Sequence, residues 1–345
     1  MTWFWAYCIA ERLSITDRVV GGGSDYGVVS IKLSKENSYH FGDKSMQEQP
    51  LVSIITATYN RSNVLCYTIS SVINSRFTNW EMIIVGDACT DDTEAVVSSF
   101  GDPRIRFINL GINTGHQAGP NNAGFALAKG RYIAYINHDD LWFPDHLDKC
   151  LQTIQEKDAD WVFSMGILVR DENDLSLQGV SPEERFHPKY GIMVEATQWL
   201  LKRELLEELN GWTSYKTIHL PPSQDLILRA WKKGKKIYRV PAVTTFLIPS
   251  GTRKNVYLDR CFEENQEYFL QMSTNIHFRE QQIFRTLLSR ETLLVYNSLN
   301  LKRAFRNLIV VLLIYLLFRS ILAVCCIYKT RADKNENQQN KFFHI

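Results

Sequence analysis

The residues of this 345-residue chain best suited to chemistry are Asn137, His138, Asp139 and Asp140, which follow directly on the apolar run Ile133-Ala134-Tyr135-Ile136. That run, with Gly130 marking the turn before it, reads as a short buried strand. In an open α/β sheet, ligands bind outside the carboxyl ends of the strands, so these polar side chains stand at the mouth of a crevice. Paired carboxylates there suit Mg²⁺ or Mn²⁺, which takes one or two Asp oxygens and completes its shell with ligand phosphates and water. The stretch alone reads equally well as a solvated turn, in which Asp140 or Asp145 caps the helix that begins near Pro144.

The elements that must position these residues begin at Leu51. The segment LVSIITATYN is continuous in Val and Ile, as a buried parallel strand should be, and ends in Tyr59, Asn60 and Arg61. A helix over 62–75 follows, with Val64, Leu65, Ile69, Val72 and Ile73 facing inward. Trp80 to Val85 is the next strand, closed by Gly86 and Asp87, and Thr90, Asp91 and Asp92 can cap a helix from about Thr93. Ile105 to Asn109 forms a third strand, 113–129 a Gly-rich loop and helix, and the run before Asn137 the fourth. A helix over 145–156, buried through Leu147, Cys150, Leu151 and Ile154, and a strand from Trp161 to Val169 continue the pattern. Strands alternating with helices at this spacing mean βαβ units with parallel pairing and right-handed crossovers.

Composition narrows the function. With 45% apolar residues the chain can bury a large core, and 39 basic against 37 acidic residues leave a net charge of +2. That is no field for nucleic acid. The seven cysteines form no CxxC pair and no zinc or disulfide spacing, which points to a reducing, cytosolic setting. Residues 1–10, MTWFWAYCIA, lack a basic flank and a cleavage site, so they do not read as a signal peptide; 1–50 is an extension of unknown role, with one candidate strand over Tyr26 to Leu33.

Three segments in order, TATYNR, VGDACTDDT and NTGHQAGPNNAGFALAKGRYIAYINHDD, each at a strand end, resemble the nucleotide-sugar-binding half of family 2 glycosyltransferases. The resemblance covers about 51–250 and implies the GT-A fold, a Rossmann-like, mostly parallel sheet flanked by helices, here with a C-terminal helical extension. It implies that Thr56, Ala57, Tyr59 and Arg61 line the nucleoside pocket and that Asp87 contacts the base or ribose. A carboxylate there can accept from an N–H or hydroxyl, or can simply hold its own loop. It makes Asp139 the principal metal ligand and Asp140 the second, for Mn²⁺ or Mg²⁺. Asn137 stands where the family has an acid, so it could coordinate or bond only through its amide. His138 is read as a non-ligand, since neighbouring residues of a continuing strand point to opposite faces. An acidic pair farther on supplies the family's base; Gln224 replaces its first member, leaving Asp225 as the catalytic candidate. Asp225 on its own reads equally as a first-turn helix acid.

Arg253 is a candidate for the donor diphosphate, and His187 a weak one for the acceptor. Lys232, Lys233, Lys235, Lys236 and Arg239 could meet anionic lipid heads or simply form a solvated helix end. The pattern over 251–306 is helical. Leu308 to Tyr328 is long enough to cross a bilayer, interrupted by Arg319 and Ser320, so a membrane helix is expected over 307–328, then a polar tail, 329–345. The expectation is a membrane-associated transferase with a cytoplasmic catalytic domain, moving sugar from a nucleoside diphosphate, a UDP-sugar first, to a glycan or lipid-linked hydroxyl with inversion, in polysaccharide, glycolipid or cell-surface glycan synthesis. The alternative is a non-catalytic nucleotide-sugar-binding or scaffold protein of the same fold, to which the missing acids at Asn137 and Gln224 point.

Overall fold

A computed structural model of the chain describes residues 49–171, 174–250 and 263–288. The N-terminal extension, Arg253, the expected membrane helix over 307–328 and the polar tail lie outside the described residues.

The chain opens with β1 (Val52–Thr58), α1 (Ser62–Ile73), β2 (Trp80–Gly86), α2 (Thr93–Ser98), β3 (Ile105–Asn109), α3 (Ala118–Leu127) and β4 (Tyr132–Tyr135). β2 pairs with both β1 and β3, and β4 pairs with the other side of β1, all parallel. The local order is therefore β3-β2-β1-β4. The chain winds outward from β1, then returns to its opposite side, and this reversal between β1 and β4 is where such sheets open a crevice.

Both faces of the sheet are buried, with the strand period of two deciding which residue goes where. Ile55, Ile83, Val85, Ile133 and Tyr135 enter one core cluster. Val52, Ile54, Met82, Ile84, Tyr132, Ala134 and Ile136 enter the other, against Leu65, Ile69 and Val72 of α1. Each fully buried side chain of this size contributes roughly 1.5–3 kcal/mol. On the first face α3 lies close to β1 because Gly124 has no Cβ; one there would stand 2.6 Å from Ile55 Cγ2.

The second half adds β5 (Leu141–Trp142), α4 (His146–Glu156), β6 (Trp161–Asp171), β7 (Asp174–Gln178), β8 (Trp199–Lys202), α5 (Arg203–Glu208), α6 (Pro222–Lys232), β9 (Ile237–Leu247), α7 (Glu263–Thr274) and α8 (Phe278–Leu288). β8 pairs antiparallel with β4 and β6, and β9 runs parallel to β6. The sheet is thus mixed rather than parallel throughout: the expected parallel half continues through antiparallel strands that βαβ alternation does not announce. Pro241 within β9 cannot donate to a ladder, and the β6–β9 register shifts between Phe163 and Met165 opposite it, as at a bulge. α4 buries the expected Leu147, Cys150, Leu151 and Ile154.

Candidate functional site

The carboxyl ends of β1 and β4 meet through one side chain. β4 ends at Tyr135, and His138 and Asp139 form a turn instead of extending the strand. The rule that neighbours point to opposite faces therefore lapses at the residues for which it was invoked. The His138 ring turns back to β1, with Nδ1 3.3 Å from the Ala57 carbonyl oxygen. A carbonyl only accepts, so Nδ1 carries the proton and Nε2 the lone pair. Nε2 is buried without a hydrogen-bond partner, 3.8 Å from Asp139 Oδ2. Burial lowers the pKa of this imidazole; the Asp139 charge acts in the opposite sense, and Arg61 acts with burial.

The two carboxylates of the turn have different surroundings. Asp140 is 2% exposed; its Oδ2 accepts from Thr197 Oγ1 at 2.5 Å and Asn137 Nδ2 at 2.9 Å, its Oδ1 from the Ile248 N–H at 2.8 Å. Burial, then the Asp139 charge, hold its pKa well above the usual carboxylate range. Asp139 spends Oδ2 on the Ser250 N–H at 2.6 Å, and its backbone oxygen accepts from Asn265 Nδ2. Ser250 Oγ in turn accepts from Nη2 of the buried Arg61, which joins the end of β1 to the Asp139 turn. Among the described residues no three His, Cys, Asp or Glu side chains gather as a metal cage. A cation that draws most of its shell from phosphates and water needs only one or two protein ligands. The buried orphan nitrogen beside the Asp139 carboxylate fits that need, while both oxygens of Asp140 already accept hydrogen bonds.

The remaining expected residues divide similarly. Thr56 is fully buried within β1, its hydroxyl unpartnered, whereas Ala57 is half-buried and Tyr59 43% exposed at the rim. Asp87 accepts from the Thr114 N–H and hydroxyl at 2.8 and 2.9 Å and from the Gly115 N–H at 3.1 Å, so both its oxygens hold the loop before α3. Asn60 bonds Thr90 and Asp91 across the first two βα loops. Asp225 lies in the first turn of α6 with Oδ2 2.7 Å from Arg229 Nε, and that guanidinium also donates to the Leu209 and Gly211 carbonyls. Gln224 Nε2 donates to the Val194 oxygen, fastening α6 to the segment before β8. His187 lies edge-on to Trp231. The lysine run is largely a paired surface, with Lys233 and Lys235 on Glu208 and Lys236 on Asp158.

Glu195 escaped the sequence reasoning. It precedes the 3-10 turn Ala196–Gln198 that supplies Thr197 to Asp140. Burial, then the Asp139 charge, raise its pKa. The available signal was an acid flanked by apolar residues, Val194 and Ala196, in MVEATQW.

The family model described as Glycosyl transferase family 2 matches residues 53–208. WfaP of Escherichia coli, named as a UDP-Glc:alpha-D-GlcNAc-diphosphoundecaprenol beta-1,3-glucosyltransferase, is 30% identical over 202 residues, 57% of this chain and 76% of that protein. TuaG of Bacillus subtilis (strain 168), named for teichuronic acid biosynthesis, is 36% identical over 118 residues, 34% of this chain and 46% of that protein. The chain thus spans less than half of TuaG, and the same holds for the colanic acid relative WcaA of Escherichia coli (strain K12), at 40%. Among solved structures, S. aureus TarS 1-349 in complex with UDP-GlcNAc superposes with a TM-score of 0.51 at 16% identity, covering 70% of this chain and 74% of that one. That likeness carries the fold, a GT-A sheet flanked by helices.

Proposed function

Because the chain belongs to glycosyltransferase family 2, we propose that it transfers a sugar from a nucleoside diphosphate donor to an acceptor hydroxyl, in the synthesis of a polysaccharide, glycolipid or cell-surface glycan. The observation that carries this reading is the reversal of strand order between β1 and β4, at whose carboxyl end the Asp139 carboxylate and the unpartnered His138 Nε2 lie together. The nucleoside lies over Ala57 and the exposed Tyr59, with Asp87 acting through the Thr114–Gly115 loop it holds. Arg61 brings a buried positive charge to the diphosphate side, and Arg253 remains the sequence-based candidate for the same anion. A divalent cation at Asp139 would supply charge neutralisation to the departing diphosphate.

The acceptor oxygen forms a bond to the anomeric carbon as the bond from that carbon to the diphosphate oxygen breaks, on the opposite face, which inverts the centre. Its proton passes to a carboxylate. Two candidates differ in their surroundings. Asp225 commits Oδ2 to Arg229, whereas Glu195, two residues before the Thr197 that holds Asp140, is partly buried, and burial and then the Asp139 charge raise its pKa above that of an ordinary glutamate. The proposal therefore gives the proton to Glu195 and an anchoring role to Asp225.

The name of WfaP supports a UDP-sugar donor and a lipid-linked diphosphate acceptor for this chain as well. Membrane attachment through 307–328 stays a sequence-based part of the proposal; among the described residues no helix is long and apolar enough to cross a membrane. The test is nucleoside diphosphate release from a panel of UDP-, GDP-, CDP- and dTDP-sugars, with Mn²⁺ or Mg²⁺ and a polyprenyl-diphosphate sugar acceptor. Turnover of one donor, lost in Asp139→Ala, supports the enzyme. Nucleotide binding without turnover of any donor would favour the non-catalytic reading, and absence of both would overturn the glycosyltransferase reading.

A further inference from the structure

His138 and Asp139 present two Lewis bases to each other with no donor between them. Hydrogen bonding to the Ala57 carbonyl assigns the ring proton to Nδ1 and leaves Nε2 as a bare acceptor, buried and without a hydrogen-bond partner. The facing atom, Asp139 Oδ2 at 3.8 Å, is an acceptor as well; it takes the Ser250 N–H at 2.6 Å and keeps further lone pairs. A buried acceptor facing only another acceptor costs free energy until something electrophilic enters. Two ligands of one small divalent ion, each about 2.1 Å from it, can stand no more than about 4.2 Å apart, and this pair is inside that limit.

The rest of the turn supplies no substitute ligand. The Asn137 amide is turned onto Asp140, and Asp140 spends both oxygens on Thr197, Asn137 and Ile248. The His138 and Asp139 backbone is held at both ends, because Thr68 Oγ1 lies 2.9 Å from the His138 oxygen and 2.8 Å from the Asp140 oxygen, and Asn265 Nδ2 holds that of Asp139. A ring fixed by a bond from its other nitrogen to a carbonyl is how metal-bound histidines are oriented.

We propose that His138 is itself a metal ligand, its Nε2 joining Asp139 in an imidazole–carboxylate pair that takes the place of the acid missing at Asn137. This rests on the metal-dependent reading above. Mg²⁺ keeps to oxygen ligands and its own waters, whereas a first-row transition ion accepts an imidazole more readily, so the pair favours Mn²⁺ over Mg²⁺.

The experiment is Mn²⁺ binding to the full chain, free of any polyhistidine tag and saturated with UDP, followed by electron paramagnetic resonance. Pulsed spectra are expected to show coupling from one imidazole ¹⁴N, absent in His138→Ala. That variant is expected to bind Mn²⁺ about tenfold or more weakly while its Mg²⁺ affinity changes little. Bound Mn²⁺ without nitrogen coupling in the wild-type chain, or coupling that persists in His138→Ala, overturns the proposal and leaves the metal-dependent reading intact. Failure of Mn²⁺ to bind the UDP-saturated chain overturns both.

Discussion

Arg229 Nε lies 2.7 Å from Asp225 Oδ2, one turn along α6, and the same guanidinium reaches the Leu209 and Gly211 carbonyls. Asp225 therefore aims Arg229 at the chain after α5. Asp225→Asn is expected to cost about 0.5–1 kcal/mol in a denaturant titration, the scale of a partly screened i,i+4 pair, with kcat/KM within about threefold of wild type. A hundredfold loss of kcat with stability unchanged would return the role of base to Asp225.

Glu195→Gln removes the proton acceptor while keeping the side chain's shape. Turnover is expected to fall about 10²- to 10⁴-fold with UDP affinity unchanged. Because burial and the Asp139 charge raise the folded-state pKa of Glu195, the acid limb of the wild-type pH–rate profile is expected shifted upward from that of an ordinary glutamate. The folded chain holds this proton more tightly than the unfolded one, so the group's contribution to stability is fully present below its unfolded pKa and is lost as pH rises through the folded value. Glu195→Gln should accordingly raise Tm at pH 7.5, and the gain should shrink towards pH 4. A variant with full turnover, or one destabilised at pH 7.5, removes Glu195 from the mechanism.

Asp139 and Asp140 are adjacent, yet their substitutions should read out differently. Asp140→Ala leaves Thr197, Asn137 and the Ile248 N–H without their buried acceptor, and about 3 kcal/mol of stability is expected to go with them. Asp139→Ala should cost less stability and abolish metal-dependent turnover. Thermal melts of both variants, with and without Mn²⁺ and UDP, check this pair of outcomes.

His146 is fully buried, stacked on Trp142 with Nδ1 2.7 Å from Thr244 Oγ1, and burial pushes its pKa down to about 3. The unfolded chain binds that proton from about pH 6.5 downward and the folded chain does not, so stability falls as pH drops through this window, by up to about 5 kcal/mol near pH 3. His146→Phe is expected to flatten the pH dependence of Tm between 6.5 and 4. An unchanged slope would assign the acid sensitivity to other groups.

The parallel half of the sheet was legible because its central strands, Val52–Thr58, Trp80–Gly86 and Tyr132–Tyr135, are buried on both faces and therefore rich in apolar residues, and because α1 and α4 carry their apolar residues at helical spacing. In the second half β6 was legible from Trp161 to Val169, but β8 and β9 were not. β8 is four residues long and runs straight into α5, and β9 contains Pro241, which argues against a central strand until the register shift absorbs it. At the site, residue types at strand ends marked the segments, but hydrogen-bond partners did not follow from types: Asp87 accepts from the Thr114–Gly115 loop, Asp140 from the Ile248 N–H and Asp225 from Arg229.

By itself the sequence determined the family, the βαβ half of the fold and the places where the crevice must open, since periodicity and strand-end motifs are local properties that short stretches express. Only the tertiary structure decided which polar atoms at that crevice remain unspent. That depends on contacts between distant segments: Ala57 with His138, Asp139 with Ser250, and Asp140 with Thr197 and Ile248. A carboxylate or imidazole is free for chemistry only after the fold has assigned its neighbours, because buried polar groups take the nearest partners that geometry allows.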